Sequence, residues 1–174
     1  MPGETFSIPA MIEVMEIVCA TRQDAGVILE LIQALAEYEK LSHICVATEE
    51  SLAATLFGAY PSAEVLLARM GGKTVGFALF FQNYSTFLSK PGLYLEDLFV
   101  RPEARGSGVG KALLLKLASI AAERGYGRME WSVLDWNELA IGFYKKLGAE
   151  VLPDWRICRV SGGAMEHLGA KQRA

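Results

Sequence analysis

An apolar run, LYLEDLFV (Leu93–Val100), passes through RPEARGSGVG into VGKALLLKLASIAAERG (Val109–Gly125), where Leu113, Leu114, Leu117, Ile120 and Ala121 recur at helical spacing. Strand, glycine turn, helix is the order that most limits this fold. Gly106, Gly108 and Gly110 let backbone N–H groups close on an anion, and the helix N-terminus adds partial positive charge. The junction therefore predicts either a phosphate-type loop or a tight turn that binds nothing. Two nucleotide loops fail on the residues. A Walker loop needs G-x-x-x-x-G-K-[ST], but Arg105 takes the place of the first glycine and Ala112 that of the hydroxyl. A dinucleotide fingerprint, G-x-G-x-x-G, fits Gly106 and Gly108 but meets Lys111 at its third glycine.

The rest of the chain fits one globular domain. It has 174 residues, 52% apolar and 21% charged, with 17 basic and 20 acidic side chains and a net charge of −3. That balance argues against a nucleic-acid partner. Cys19, Cys45 and Cys158 are too few and too scattered for a disulfide framework and point to a cytoplasmic protein. His43 and His167 form no metal-ligand cluster, so no metal is expected. The segment MPGETFSIPAM lacks the basic and apolar regions of a signal peptide, and Thr74–Ser89 is too short and polar to cross a bilayer. Residues 1–14 are expected to be a flexible extension and 15–174 a single domain.

Periodicity predicts strands over Met15–Ala20, Ala63–Met70, Thr74–Tyr84, Leu93–Val100, Arg128–Asp135 and Trp155–Val160. It predicts helices over Asp24–Lys40, Thr48–Gly58, Val109–Gly125, Asn137–Gly148 and Gly163–Ala170. Thr21 with Asp24, and Thr48, are the expected caps; Asp135 or Asn137 caps the fourth helix. Gly71-Gly72 marks a two-residue hairpin turn, and a loop with Lys90-Pro91-Gly92 separates the next two strands. An antiparallel first half and a β-α-β second half make an α+β fold with a mixed sheet.

The segment YLEDLFVRPEARGSGVGKALL resembles the central motif of the GNAT superfamily, the acyl-CoA-dependent N-acyltransferases, whose Q/R-x-x-G-x-G/A reads here Arg105-Gly106-Ser107-Gly108-Val109-Gly110. LAEYEK, LDWNELAIGFYKKLGA and the late DWR narrow the resemblance to its diamine (spermidine/spermine) acetyltransferase branch, over Met15 to Leu168. The resemblance implies a mainly antiparallel central sheet, splayed at the strand carrying Glu96-Asp97 and flanked by helices. It implies acetyl-CoA as cosubstrate and a homodimer. Backbone groups of Leu98, Phe99 and Val100 would meet the pantetheine arm. The backbone of Gly106, Ser107, Gly108, Val109, Gly110 and Lys111 would wrap the pyrophosphate, with Arg105 beside it, and Asn137 would line the coenzyme arm. Tyr144 and Glu96 would be catalytic. Tyr38, Glu39, Glu96, Asp97, Glu130, Trp131 and Ser132 would meet the amine.

These residue types suit the chemistry. A primary amine is mostly ammonium at pH 7, and removing its proton costs about 4 kcal/mol. Glu96 offers an acceptor, directly or through water, and the Tyr144 hydroxyl a proton for the leaving thiolate. Glu39, Glu96 and Asp97 would attract a cation. Plainer readings stand beside these. On pattern alone Tyr144 is a core residue of its helix, Tyr38-Glu39 a solvated face, Lys145-Lys146 surface, and Trp131, Trp136 and Trp155 packing residues. Glu96 and Asp97 interrupt an apolar strand, where burying a charge is costly, and this favours function. The chain departs from the polyamine enzymes at QNYSTFLSKPG, longer and without their tryptophan, and at EVLPDW, which is shorter and leaves Asp154 as its acid. The acceptor is therefore open among diamines, polyamines and lysine-like amino acids. Two alternatives remain: a catalytically silent acyl-CoA-binding module, and a protein lysine acetyltransferase.

Overall fold

The computed structural model describes residues 14–171; apart from Val14, the expected N-terminal extension lies outside them. The described residues fall into two compact units, one up to Ser132 and one from Val133.

The first unit runs β1 (Met15–Cys19), α1 (Ala25–Tyr38), α2 (Glu49–Phe57), β2 (Glu64–Met70), β3 (Lys73–Ser85), β4 (Lys90–Val100), α3 (Val109–Glu123) and β5 (Met129–Trp131). The strands form one sheet in the order β1-β2-β3-β4-β5. The first four pair antiparallel and β5 pairs parallel to β4, giving the expected mixed sheet. Gly71 and Gly72 both hold positive φ in the β2–β3 turn, where a β-carbon would be strained. The Asp24 carboxylate accepts hydrogen bonds from the Thr21 N–H (2.8 Å) and hydroxyl (2.9 Å), then meets Arg69 of β2 at 2.8 Å, fixing the start of α1 against the sheet. Thr48 caps α2 by accepting from the Ser51 N–H at 3.1 Å.

Alternation sends one set of strand residues to each face. Val65, Leu67, Phe77 and Phe99 pack with Ile28 and Leu31 of α1 and Leu52 and Leu56 of α2. The opposite set meets α3; a β-carbon on Gly76, for example, would lie 3.3 Å from Val109 Cγ1. Phe77 is fully buried, and truncating it to alanine is expected to cost about 3–5 kcal/mol.

The β3–β4 hairpin is longer than expected. Lys90, Pro91 and Gly92 are not loop but strand, paired with Ser85, Tyr84 and Asn83. Proline is tolerated there because β5 joins β4 only from Leu93, so Pro91 lies on an edge. β5, in contrast, stops at Trp131 rather than Asp135, because β4 leaves the pairing there.

The second unit contains α4 (Glu138–Lys146) and α5 (Gly163–Ala170). Asn137, not Asp135, caps α4, its Oδ1 accepting from the Ala140 N–H at 3.2 Å. The expected strand over Trp155–Val160 is absent: residues 149–161 have no regular structure, because no strand of the described chain pairs with them. Trp155 is 73% exposed, so it is not the packing residue its pattern suggested.

Candidate active site

One extra residue builds the site. In the β3–β4 ladder Leu79 faces Asp97 and Phe80 faces Leu95, leaving Glu96 unpaired as a β-bulge. Leu79 and Phe80 are consecutive and point to opposite faces, so Leu95 and Asp97 must as well. Without the bulge both would share a face with Leu93. With it, Leu95 stays in the core, Asp97 turns to the face that carries α1, and Glu96 is exposed. The last β4–β5 pair is Leu95 with Trp131. Beyond it the pairing ends, and among the described residues no strand pairs with β4 from Glu96 to Val100 on the β5 side.

Asp97 is half-buried. Desolvation, then the neighbouring Glu96 and Glu39 carboxylates, push its pKa up to about 6. Glu39, just past the end of α1, is half-buried and raised by desolvation. The fold thus gathers Glu39, Glu96 and Asp97 from two elements far apart in sequence. Unlike charges at such spacing would neutralise each other; three carboxylates there form a locus for a cation.

Arg105 links this locus to the glycine loop. Its guanidinium lies 4.7 Å from the Tyr38 ring centroid and 5.7 Å from that of Phe99. Its Nε donates to the Val100 carbonyl at 3.0 Å. The side chain of Arg105 therefore bends back to α1. Arg101 anchors the start of the loop, meeting Glu30 of α1 at 3.0 Å and donating from Nε to the Thr74 carbonyl at 3.2 Å.

In the loop, Gly106 (φ +80°) and Gly108 (φ +90°) hold left-handed backbone, and a β-carbon on either would enter open space. Ser107 turns inward, its hydroxyl donating to the Ala104 carbonyl at 2.6 Å. Gly108 caps the fifteen-residue α3 without a side chain, so the helix's first N–H groups face outward with the partial positive charge of the terminus. The Val109 and Phe99 side chains are buried, Gly110, Leu98 and Val100 are half-buried, and Lys111 is exposed. A bare N–H cradle next to an unpaired strand edge fits a long anionic ligand that also makes amide hydrogen bonds, as acetyl-CoA does. A cleft of about 590 Å³ flanks the loop, lined by Val27, Glu30, Met70, Arg101, Ala104 and Ser107 among others. Glu39, Glu96 and Asp97 do not line it.

Glu130 of β5 and Ser132, just past its end, lie on the face of Tyr94: Glu130 is its register partner, and the Ser132 and Tyr94 hydroxyls are 2.9 Å apart. Trp131, partner of Leu95, lies on the opposite face. Within the second unit, Tyr144 is half-buried on α4, its ring centroid 5.4 Å from that of Phe143. Asn137 spends its side-chain oxygen on the helix cap. Sequence reasoning overlooked Asn83 and Arg128, both held to Glu130; the alternation Arg128-x-Glu130 was the available signal. Among the described residues no three His, Cys, Asp or Glu side chains are placed to hold a metal ion, and no helix is long and apolar enough to cross a membrane.

A splayed sheet, a free strand edge and an N–H cradle at a helix start define an enzyme of the acyl-CoA N-acyltransferase type. The chain belongs to the acetyltransferase (GNAT) family, whose model matches residues 26–149, and it is an N-acetyltransferase. It is 40% identical over 163 residues to thialysine N-epsilon-acetyltransferase of Bos taurus, covering 87% of this chain and 95% of that one. It is 35% identical over 194 residues to L-ornithine N5-acetyltransferase of Arabidopsis thaliana, covering 86% and 85%. Among solved structures, an integron cassette protein from the mobile metagenome of V. cholerae superposes with a TM-score of 0.76 at 26% identity, covering 89% of this chain and 97% of that one. These relatives agree with the diamine acetyltransferase-like branch that the motifs suggested.

Proposed function

We propose that this chain moves the acetyl group of acetyl-CoA directly onto the primary amine of a small molecule, a diamine, polyamine or lysine-like amino acid. The observation that carries this reading is the bulge at Glu96: one extra residue both opens the β4 edge and turns Asp97 toward Glu39. Bound coenzyme supplies an activated thioester. Gly106 to Lys111 hold its pyrophosphate through backbone N–H groups, Leu98 to Val100 its pantetheine arm, and Asn137 lines the arm. Glu39 and Glu96 draw in the ammonium, with Tyr38 beside them. Asp97 accepts the proton, because a pKa of about 6 is far better matched to neutral pH than an ordinary aspartate. Glu96, exposed on the bulge, passes that proton to water. The amine nitrogen bonds to the acetyl carbon as the carbon–sulfur bond breaks, the Tyr144 hydroxyl protonates the departing thiolate, and the second proton lost by the nitrogen restores Tyr144 through water.

We place both units in one acyltransferase domain that needs no metal, acts in the cytoplasm, and engages neither nucleic acid nor membrane. Three free cysteines support the compartment. The chain works as a homodimer in this reading: residues 149–161 expose Trp155, Ile157 and Val160 on backbone that has no strand partner in the described chain. Light scattering at micromolar concentration should give twice the monomer mass.

Initial-rate kinetics with intact-mass analysis test the chemistry. Direct transfer gives intersecting double-reciprocal lines, one thiol per acetylated amine, and no acetylated protein. Parallel lines with an acetyl-enzyme would contradict it.

A further inference from the structure

Beyond the acid locus, the same sheet face holds a second polar group. Asn83 of β3 donates from Nδ2 to Glu130 Oε2 at 2.9 Å, and Arg128 Nε lies 2.8 Å from the same oxygen. Asn83 and Glu130 belong to strands on either side of β4, and they meet because β4 offers Gly92 there. A β-carbon at Gly92 would collide with Asn83 Oδ1 and lie 3.2 Å from the Arg128 carbonyl. The arrangement carries a cost, since Asn83 Oδ1 and Arg128 Nε are buried without a hydrogen bond. An unsatisfied group is tolerated where the position serves something else.

What remains free defines that purpose. Glu130 Oε2 accepts from Asn83 and faces Arg128 Nε as an ion pair, so Oε1 is left over. Among the described residues the guanidinium of Arg128 meets only Glu130, so its two outer nitrogens are left over too. The side chains are 37% and 34% exposed, enough for a ligand to reach them. One free carboxylate oxygen beside a free guanidinium fork is complementary to an ammonium beside a carboxylate.

The register gives the distance from the acid locus. Asp97 faces Leu79, and the next residue of β3 on that face, Phe81, faces Tyr94, whose β5 partner is Glu130. Two residues along and one strand across place Glu130 about 8 Å from Asp97, backbone to backbone. A side chain of four methylenes ending in nitrogen spans about 6 Å from its α-carbon. Tyr94 and Phe81, ring centroids 5.2 Å apart, floor the interval with apolar surface.

Resting on the acetyltransferase reading above, we propose that Arg128 and Glu130, positioned by Asn83 across Gly92, bind the α-carboxylate and α-ammonium of an amino acid whose side-chain amine is acetylated at Asp97.

Three acceptors separate the parts at saturating acetyl-CoA. L-Lysine has both head groups, cadaverine lacks the carboxylate, and 6-aminohexanoate lacks the α-amine. Wild-type kcat/KM should favour lysine over each of the others by about tenfold or more, the worth of a hydrogen bond to a charged group. In Arg128→Gln the lysine-to-cadaverine ratio should fall about tenfold, through KM. In Glu130→Gln the lysine-to-6-aminohexanoate ratio should fall likewise. Wild-type turnover of cadaverine equal to that of lysine overturns the head-group site and leaves the transferase intact. So does a variant that slows all three acceptors by one factor, which would mark a structural role. Turnover of none of the three overturns both readings.

Discussion

Replacing Asp97 by asparagine should stabilise the protein while impairing it, and the stabilisation should depend on pH. The Asp97 pKa rises from 3.8 to about 6, first through desolvation and then through Glu96 and Glu39. About two units correspond to ~3 kcal/mol of resistance to the charge. Glu96 is exposed and its share is screened by solvent, which brings the expected effect to about 1–3 kcal/mol. The sign follows from the two states. Below pH 3.8 the carboxyl is neutral both folded and unfolded, and carries no penalty. Between 3.8 and about 6 the unfolded chain ionises first, so the wild type loses stability as pH rises, and above about 6 the full penalty is present. Asparagine keeps the shape and removes the charge. At pH 8 Asp97→Asn should therefore melt roughly 2–9 °C above wild type, and near pH 3.5 the two should coincide. In parallel the wild-type kcat/KM should climb through an apparent pKa near 6, the limb on which Asp97 ionises, and the variant should lose that limb along with most activity. An asparagine variant that melts below wild type equally at both pH values, or that keeps full activity with the limb intact, would refute the placing of Asp97 as a strained proton acceptor.

The other consequences are simpler. Gly108→Val forces a β-branched residue to φ +90°, which costs about 1–2 kcal/mol of stability; because the new side chain points into open space, calorimetry should show acetyl-CoA binding weakened by about tenfold or more as backbone contacts to the anion are lost. Arg105→Met removes a cation from the Tyr38 ring and a donor from Val100, so the amine KM should rise by about two- to fivefold, an effect that vanishes in a Tyr38→Leu background if the two act as a pair. Tyr144→Phe should lower kcat with acetyl-CoA affinity retained; wild-type kcat would remove it as the acid.

Much of this fold was legible because its periodic elements are long. The helices of the first unit and strands β1 to β3 lie within a few residues of their sequence bounds, and the glycine turn into α3 forms as the positive φ values require. Errors gathered where pairing, not pattern, decides. Lys90-Pro91-Gly92 reads as a loop because proline and glycine punctuate chains, yet a long partner strand extends the ladder over them. Trp155–Val160 has the composition of a strand and, among the described residues, lacks a strand partner to make it one. The candidate site divides in the same way. Glu96 and Asp97 were visible as charges in an apolar run, but the sequence could not show that a bulge exposes one and turns the other toward α1. Arg128 showed only as an alternation with Glu130, and Asn83 was invisible, since its meaning rests on a missing β-carbon at Gly92, on a different strand.

The central claim is acetyl transfer to a small amine, and thiol release from acetyl-CoA measures it most directly. The panel should contain putrescine, spermidine, spermine, ornithine, lysine, thialysine and a lysine peptide, with acetyl-CoA binding followed separately by calorimetry. Saturable turnover on small amines, well above that on the peptide, is the predicted result. Faster turnover on the peptide would make this a protein lysine acetyltransferase. Tight acetyl-CoA binding with no turnover on any amine would make it a binding module and contradict the account.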